Sequence, residues 1–140
     1  MTKKPRTVLV IEDDTDIRNF VSRVLELEGY TVYRTEDGTA GMELIRKDPV
    51  SLVLLDLRLP GSDGWSILRE MKHDSNLASI PVLVLTATAE ATQRRRTLRM
   101  GAVSYLVKPI STHDLVRTVR DVLKGKTGAS RAQKTASSAA

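Results

Sequence analysis

The chain has 140 residues, enough for one domain with a core of its own, and a formal net charge of +5. It contains no cysteine, which excludes disulfides, thiolate metal sites and a cysteine nucleophile. No apolar run approaches the roughly 20 residues of a membrane span, and the basic start lacks the apolar stretch of a signal peptide, so a soluble, cytoplasmic protein is expected.

The charge is unevenly spread. Lys124, Lys126, Arg131 and Lys134 lie in a closing stretch that holds no acid, which leaves 18 basic against 17 acidic residues in 1–123. The part expected to fold is therefore close to neutral. From Gly125 onward the chain is Gly, Ala, Ser, Thr and Lys with no large apolar residue, so 124–140 is expected to be a disordered tail or linker. Residues 1–5 are expected to be a flexible start.

In chain order, Thr7 to Ile11 is an apolar strand that runs into Glu12-Asp13-Asp14. A helix follows from about Thr15, with Ile17, Phe20, Val21, Val24 and Leu25 spaced to form one apolar face, and Gly29 stands where a helix ends. Thr31 to Thr35 alternates like a strand near a sheet edge. Asp37-Gly38 opens a second helix through Leu44 and Ile45, closed before Pro49.

The apolar run from Val50 through Leu55 stops at a lone carboxylate, Asp56, after which Pro60-Gly61 turns the chain. Asp63 is placed to cap a helix carrying Trp65, Ile67, Leu68 and Met71. Val82 to Leu85 is a fourth strand, ending at Thr86-Ala87-Thr88. The segment Glu90 to Met100 holds Arg94, Arg95, Arg96 and Arg99 but few large apolar residues, and Gly101 ends it. Val103 to Val107 is a fifth strand ending in Lys108-Pro109, and Ser111 with Asp114 begins a last helix with Leu115, Val119, Val122 and Leu123 on one face.

Five strands alternating with helices at this spacing predict an α/β fold, a doubly wound five-stranded parallel sheet with helices on both sides. Strand order does not follow from the residues. In a parallel sheet the carboxyl ends of the strands share one edge, where ligands bind in open α/β sheets. That edge would gather Glu12, Asp13, Asp14, Asp56, Thr86 and Lys108. Clustered carboxylates repel one another, and a divalent cation relieves the repulsion. An all-oxygen set suits Mg²⁺. A lysine and a threonine hydroxyl beside it suit phosphoryl oxygens, and Asp56 could then attack phosphorus to form an acyl phosphate.

Ile11-Glu12-Asp13-Asp14, Leu55 to Pro60, Asp63-Gly64, Leu85-Thr86-Ala87 and Tyr105 to Pro109 together resemble the receiver domain of two-component response regulators, over about residues 6–123. The resemblance implies a flavodoxin-like (βα)5 fold of strand order 2-1-3-4-5, which is the order given for a member of that family among doubly wound sheets. It implies that Asp56 accepts a phosphoryl group from a phosphohistidine on a sensor histidine kinase or histidine phosphotransfer protein. Asp13, Asp56 and the backbone carbonyl of Arg58 would bind Mg²⁺, with Glu12 helping through water. Thr86 and Lys108 would hold the phosphoryl group, and Thr86 and Tyr105 would move together as a switch. Many relatives carry a shorter or apolar residue where Arg58 stands.

A loosely packed Glu90–Met100 helix beside Thr86 and Tyr105 suits a two-state response. The face comprising Arg94, Arg95, Arg99, Tyr105 and Arg117 is expected to meet a downstream partner protein. His73 and His113 fall on no strand end and have no expected role. Two other functions compete. A phosphohydrolase with an aspartyl-phosphate intermediate usually has a second aspartate two residues after the nucleophile, where this chain has Arg58. Nucleic-acid binding through the basic tail lacks a helix-turn-helix or a stacking-aromatic pattern to support it.

Overall fold

The computed structural model describes residues 6–59 and 62–125. Its elements are β1 (Thr7–Ile11), α1 (Thr15–Leu27), β2 (Thr31–Thr35), α2 (Gly38–Lys47), β3 (Leu52–Asp56), β4 (Arg58–Leu59), β5 (Ser62–Asp63), α3 (Gly64–His73), β6 (Val82–Thr86), α4 (Ala91–Arg99), β7 (Ser104–Val107) and α5 (Thr112–Leu123). The main sheet is parallel, in the order β2-β1-β3-β6-β7. Counting only its own five strands, this is the expected 2-1-3-4-5. The expected flexible start and most of the expected tail (126–140), with the Pro60-Gly61 turn, lie outside the described residues.

β3 and β6 are buried at every position, as central strands covered on both faces must be. Alternation along the strands divides the core in two. Leu9, Ile11, Val53, Leu55, Val82, Val84 and Tyr105 face α2, α3 and α4, whereas Val8, Val10, Leu52, Leu54, Leu83, Leu85 and Leu106 face α1 and α5. Each such side chain contributes roughly 1.5–3 kcal/mol by leaving water.

Local chemistry sets the helix starts. Asp14, Asp37, Asp63 and Ser111 each accept a backbone N–H in the first turn of α1, α2, α3 and α5. Gly29 and Gly101 end α1 and α4 at φ values of +98° and +108°, a left-handed conformation that glycine adopts without steric cost.

Three details differ from expectation. Phe20 does not join the apolar face of α1. It is 39% exposed, at the edge of a stripe whose centre is Val21 and Leu25. Leu59 and Ser62 pair in a two-residue antiparallel ladder, as do Arg58 and Asp63, so a short β-arm follows β3 where only a turn was expected. Asp114 does not complete a reciprocal capping box. Its amide donates to Ser111 Oγ, and its carboxylate pairs with Arg117 at 3.2 Å.

Candidate functional site

Sheet register brings the strand ends to one rim. Ile11 stands beside Leu55, Asp56 beside Leu85, and Thr86 beside Val107. Glu12 and Lys108 are each one residue beyond their strands and are tied back to the sheet, Glu12 N–H to the Thr35 carbonyl and Lys108 N–H to the Thr86 carbonyl. A cavity of about 320 Å³ opens at this rim, lined chiefly by Glu12, Asp13, Asp56, Arg58, Thr86 and Lys108.

Carboxylate oxygens of Glu12, Asp13 and Asp56 all lie within 4.8 Å of one another. Glu12 is fully buried and Asp56 is 4% exposed, while Asp13 faces solvent. Lys108 Nζ sits 2.7 Å from Glu12 Oε1 and 3.4 Å from Asp56 Oδ2. Glu12 Oε2 accepts the Asp14 amide, and Asp56 Oδ1 accepts the Arg58 amide. Burial, reinforced by the neighbouring Asp56 carboxylate, pushes the Glu12 carboxyl up to about 7 against the pull of Lys108 and the Asp14 amide. Burial lowers the Lys108 pKa, but Glu12 and Asp56 outweigh it and leave the pKa raised.

Asp14 lines the cavity wall but spends its side chain on capping α1, accepting from Ile17 N–H at 3.0 Å. The Thr86 hydroxyl is buried and accepts the Thr88 amide at 3.2 Å, so it shapes the β6–α4 turn while facing the rim. The side chain of Arg58 is exposed. Tyr105 is buried in the core, its hydroxyl accepting from Arg94 at 3.1 Å with the guanidinium 5.8 Å from the ring centre.

Of the residues expected to face a partner, Arg95 and Arg99 are exposed, Arg94 and Arg117 are half-buried, and Tyr105 is buried. The exposed part of that face is therefore basic and not aromatic. α4 buries only Thr97, in keeping with its weak apolar stripe, and Arg96 lies 4.2 Å over the ring of Trp65 on α3. His73 donates from Nδ1 to the Arg69 carbonyl within its own helix, and His113 is exposed.

Two participants escaped the sequence reading. A Cβ on Gly64 would lie 2.5 Å from the Asp56 carbonyl oxygen and 2.6 Å from Leu57 Cα, so only glycine lets α3 start against the end of β3. Arg18 reaches back from α1 to the carbonyls of Glu12 and Asp13. The glycine was visible within Asp63-Gly64, but its close approach to Asp56 is a tertiary fact.

A parallel sheet of this order, with acidic side chains, a lysine and a threonine meeting at its carboxyl edge, defines a receiver-type α/β domain. Residues 8–120 match the family model described as the response regulator receiver domain, and the chain belongs to that family. It is 36% identical over 119 residues to the phosphate regulon transcriptional regulatory protein PhoB of Escherichia coli, covering 85% of this chain and 52% of that one. It is also 36% identical over 117 residues to the DNA-binding dual master transcriptional regulator RpaA of a Synechocystis strain, covering 84% and 48%. The chain thus spans about half the length of these curated relatives. Among solved structures, a response regulator from Chloroflexus aurantiacus superposes with a TM-score of 0.82 at 30% identity, over 86% of this chain and 99% of that one. The chemotaxis response regulator CheY4 of Vibrio cholerae gives 0.80 at 26% identity, over 84% and 98%. Receiver domains are signalling domains, and no helix among the described residues is long and apolar enough to cross a membrane.

Proposed function

We propose that this chain is a phosphorylation-dependent switch in which Asp56 takes a phosphoryl group from a phosphohistidine on a sensor histidine kinase or histidine phosphotransfer protein. The observation that carries the proposal is a buried carboxylate, Asp56, held between an acidic cluster and the ammonium of Lys108 at the mouth of a cavity.

The donor set fits Mg²⁺. It consists of oxygen atoms only, and the Asp13 carboxylate receives no hydrogen bond or ion pair from the described residues. Asp13, Asp56 and the carbonyl of Arg58 would hold the ion, with Glu12 acting through water. Bound there, the ion supplies positive charge to the phosphoryl oxygens.

A carboxylate oxygen of Asp56 attacks phosphorus, the bond from phosphorus to the donor imidazole breaks, and that imidazole nitrogen takes up a proton. Lys108 offers its charge to one phosphoryl oxygen and Thr86 its hydroxyl to another. The hydroxyl can donate there while still accepting the Thr88 amide, so movement of Thr86 towards the phosphoryl group draws on the β6–α4 turn and, through Tyr105 and Arg94, on α4. The basic surface at Arg95, Arg99 and Arg117 then meets a downstream partner protein.

Residues 6–123 act as the receiver unit, working in the cytoplasm, with 124–140 as tail or linker. The relatives described as transcriptional regulators are matched over only about half of their length, so DNA binding would require parts that this chain does not match. A phosphohydrolase is disfavoured by Arg58 and by the family match. Incubation with acetyl phosphate and Mg²⁺, read by intact mass, tests the proposal. One phosphoryl group should appear on the wild type and none on Asp56→Asn, while equal labelling of both would refute it.

A further inference from the structure

Three consecutive carbonyl oxygens of the acidic turn end on one residue. Arg18 Nη1 donates to the Glu12 carbonyl at 2.8 Å and to the Asp13 carbonyl at 3.3 Å. The backbone N–H of the same residue donates to the Asp14 carbonyl at 2.9 Å, and its Nη2 lies 3.5 Å from Thr15 Oγ1. No other side chain among the described residues holds this turn by its carbonyls.

The side chains of the turn are unequally committed. Glu12 is fixed by Lys108 and the Asp14 amide, Asp14 by its cap on α1, and Asp56 by Lys108 and the Arg58 amide. The Asp13 carboxylate has no such partner among the described residues. The direction in which its carboxylate points is therefore set by the backbone between Glu12 and Asp14, which Arg18 fastens.

We infer that Arg18 is a positioning residue for divalent-cation binding, holding the 12–14 turn so that the Asp13 carboxylate meets those of Glu12 and Asp56. The inference rests on the magnesium site proposed above. Both carbonyls are served by Nη1, which the planar guanidinium carries one bond further from the backbone than a lysine carries its ammonium. Supporting residues around metal ligands typically change metal affinity by about 10-fold or more when removed.

Titration calorimetry with Mg²⁺ on the purified chain tests this, using wild type, Arg18→Met and Arg18→Lys, beside metal-free melting curves. The Mg²⁺ dissociation constant should rise about 10-fold in Arg18→Met and rise less in Arg18→Lys, with both variants folded at the titration temperature. Should Arg18→Met prove poorly folded, Arg18→Gln replaces it. Wild-type affinity in all variants, or lower melting temperatures with unchanged affinity, would overturn the positioning role. Arg18→Lys equal to wild type beside a weakened Arg18→Met would reduce the role to charge and overturn it as well. Absence of Mg²⁺ binding by the wild type would instead refute the metal site itself, and this inference with it.

Discussion

The ammonium group of Lys108 lies closer to Glu12, at 2.7 Å, than to Asp56, at 3.4 Å. The lysine thus serves first as counter-ion to a fully buried glutamate, and its contact with the expected phosphoacceptor is the looser one. A cation shared in this way can shift towards a phosphoryl group without leaving the rim.

Lys108→Met should destabilise the domain, because it removes the only ammonium or guanidinium group paired with these carboxylates among the described residues. Loss of a charge-assisted hydrogen bond typically costs about 1.5–3 kcal/mol. The loss should be smaller in acid, where Glu12 can take up a proton instead. Urea unfolding at mildly acidic and mildly alkaline pH would measure the difference.

Glu12 also predicts a pH dependence of the metal-free fold. Its carboxyl titrates near 7 in the folded chain against 4.5 as the reference. Between those values the folded state binds more protons than the unfolded one, so this group's contribution is complete below pH 4.5 and is lost as pH rises towards 7. At 1.36 kcal/mol per unit the full effect is on the order of 3 kcal/mol. Stability curves of wild type and Glu12→Gln in chelator should differ in slope across that window and run parallel outside it.

Gly64→Ala should be costly for its size. The added carbon meets backbone atoms of Asp56 and Leu57 at 2.5 and 2.6 Å, and backbone cannot yield as a flexible side chain can. Overpacking of this kind costs about 1–3 kcal/mol. Chemical denaturation should show that loss, accompanied by slower phosphorylation by acetyl phosphate, since relief of the clash displaces Asp56.

Arg96→Ala should leave stability within about 1 kcal/mol, as exposed cation–π pairs are worth no more. It should nevertheless alter the emission of Trp65, the only tryptophan in the chain. Removing the guanidinium from the ring should increase collisional quenching by acrylamide. Unchanged quenching would mean that Arg96 does not cover the ring in solution.

The strands and the rim were legible in the sequence because their signals are local. Val53-Leu54-Leu55 stops at Asp56 and Val82 to Leu85 stops at Thr86, and a parallel sheet carries such endings to one edge without further information. Phe20 was misassigned because helical spacing marks a broad face and does not locate its margin. The short ladder of Arg58–Leu59 with Ser62–Asp63 was missed because two-residue strands show no periodicity. Strand order came from the family resemblance, since apolar runs do not state their neighbours. The tighter pairing of Lys108 with Glu12, the need for glycine at 64 and the hold of Arg18 on the acidic turn depend on distances across the fold, which no spacing along the chain encodes.

The central claim is that residues distant in sequence form one magnesium-dependent phosphoacceptor pocket around Asp56. Its most direct test is tandem mass spectrometric mapping of the modified residue after acetyl phosphate treatment, with Mg²⁺ or with chelator. The phosphoryl group should map to Asp56 and should be lost when Mg²⁺ is removed. Modification at another residue, or equal labelling of Asp56 in chelator, would contradict the account.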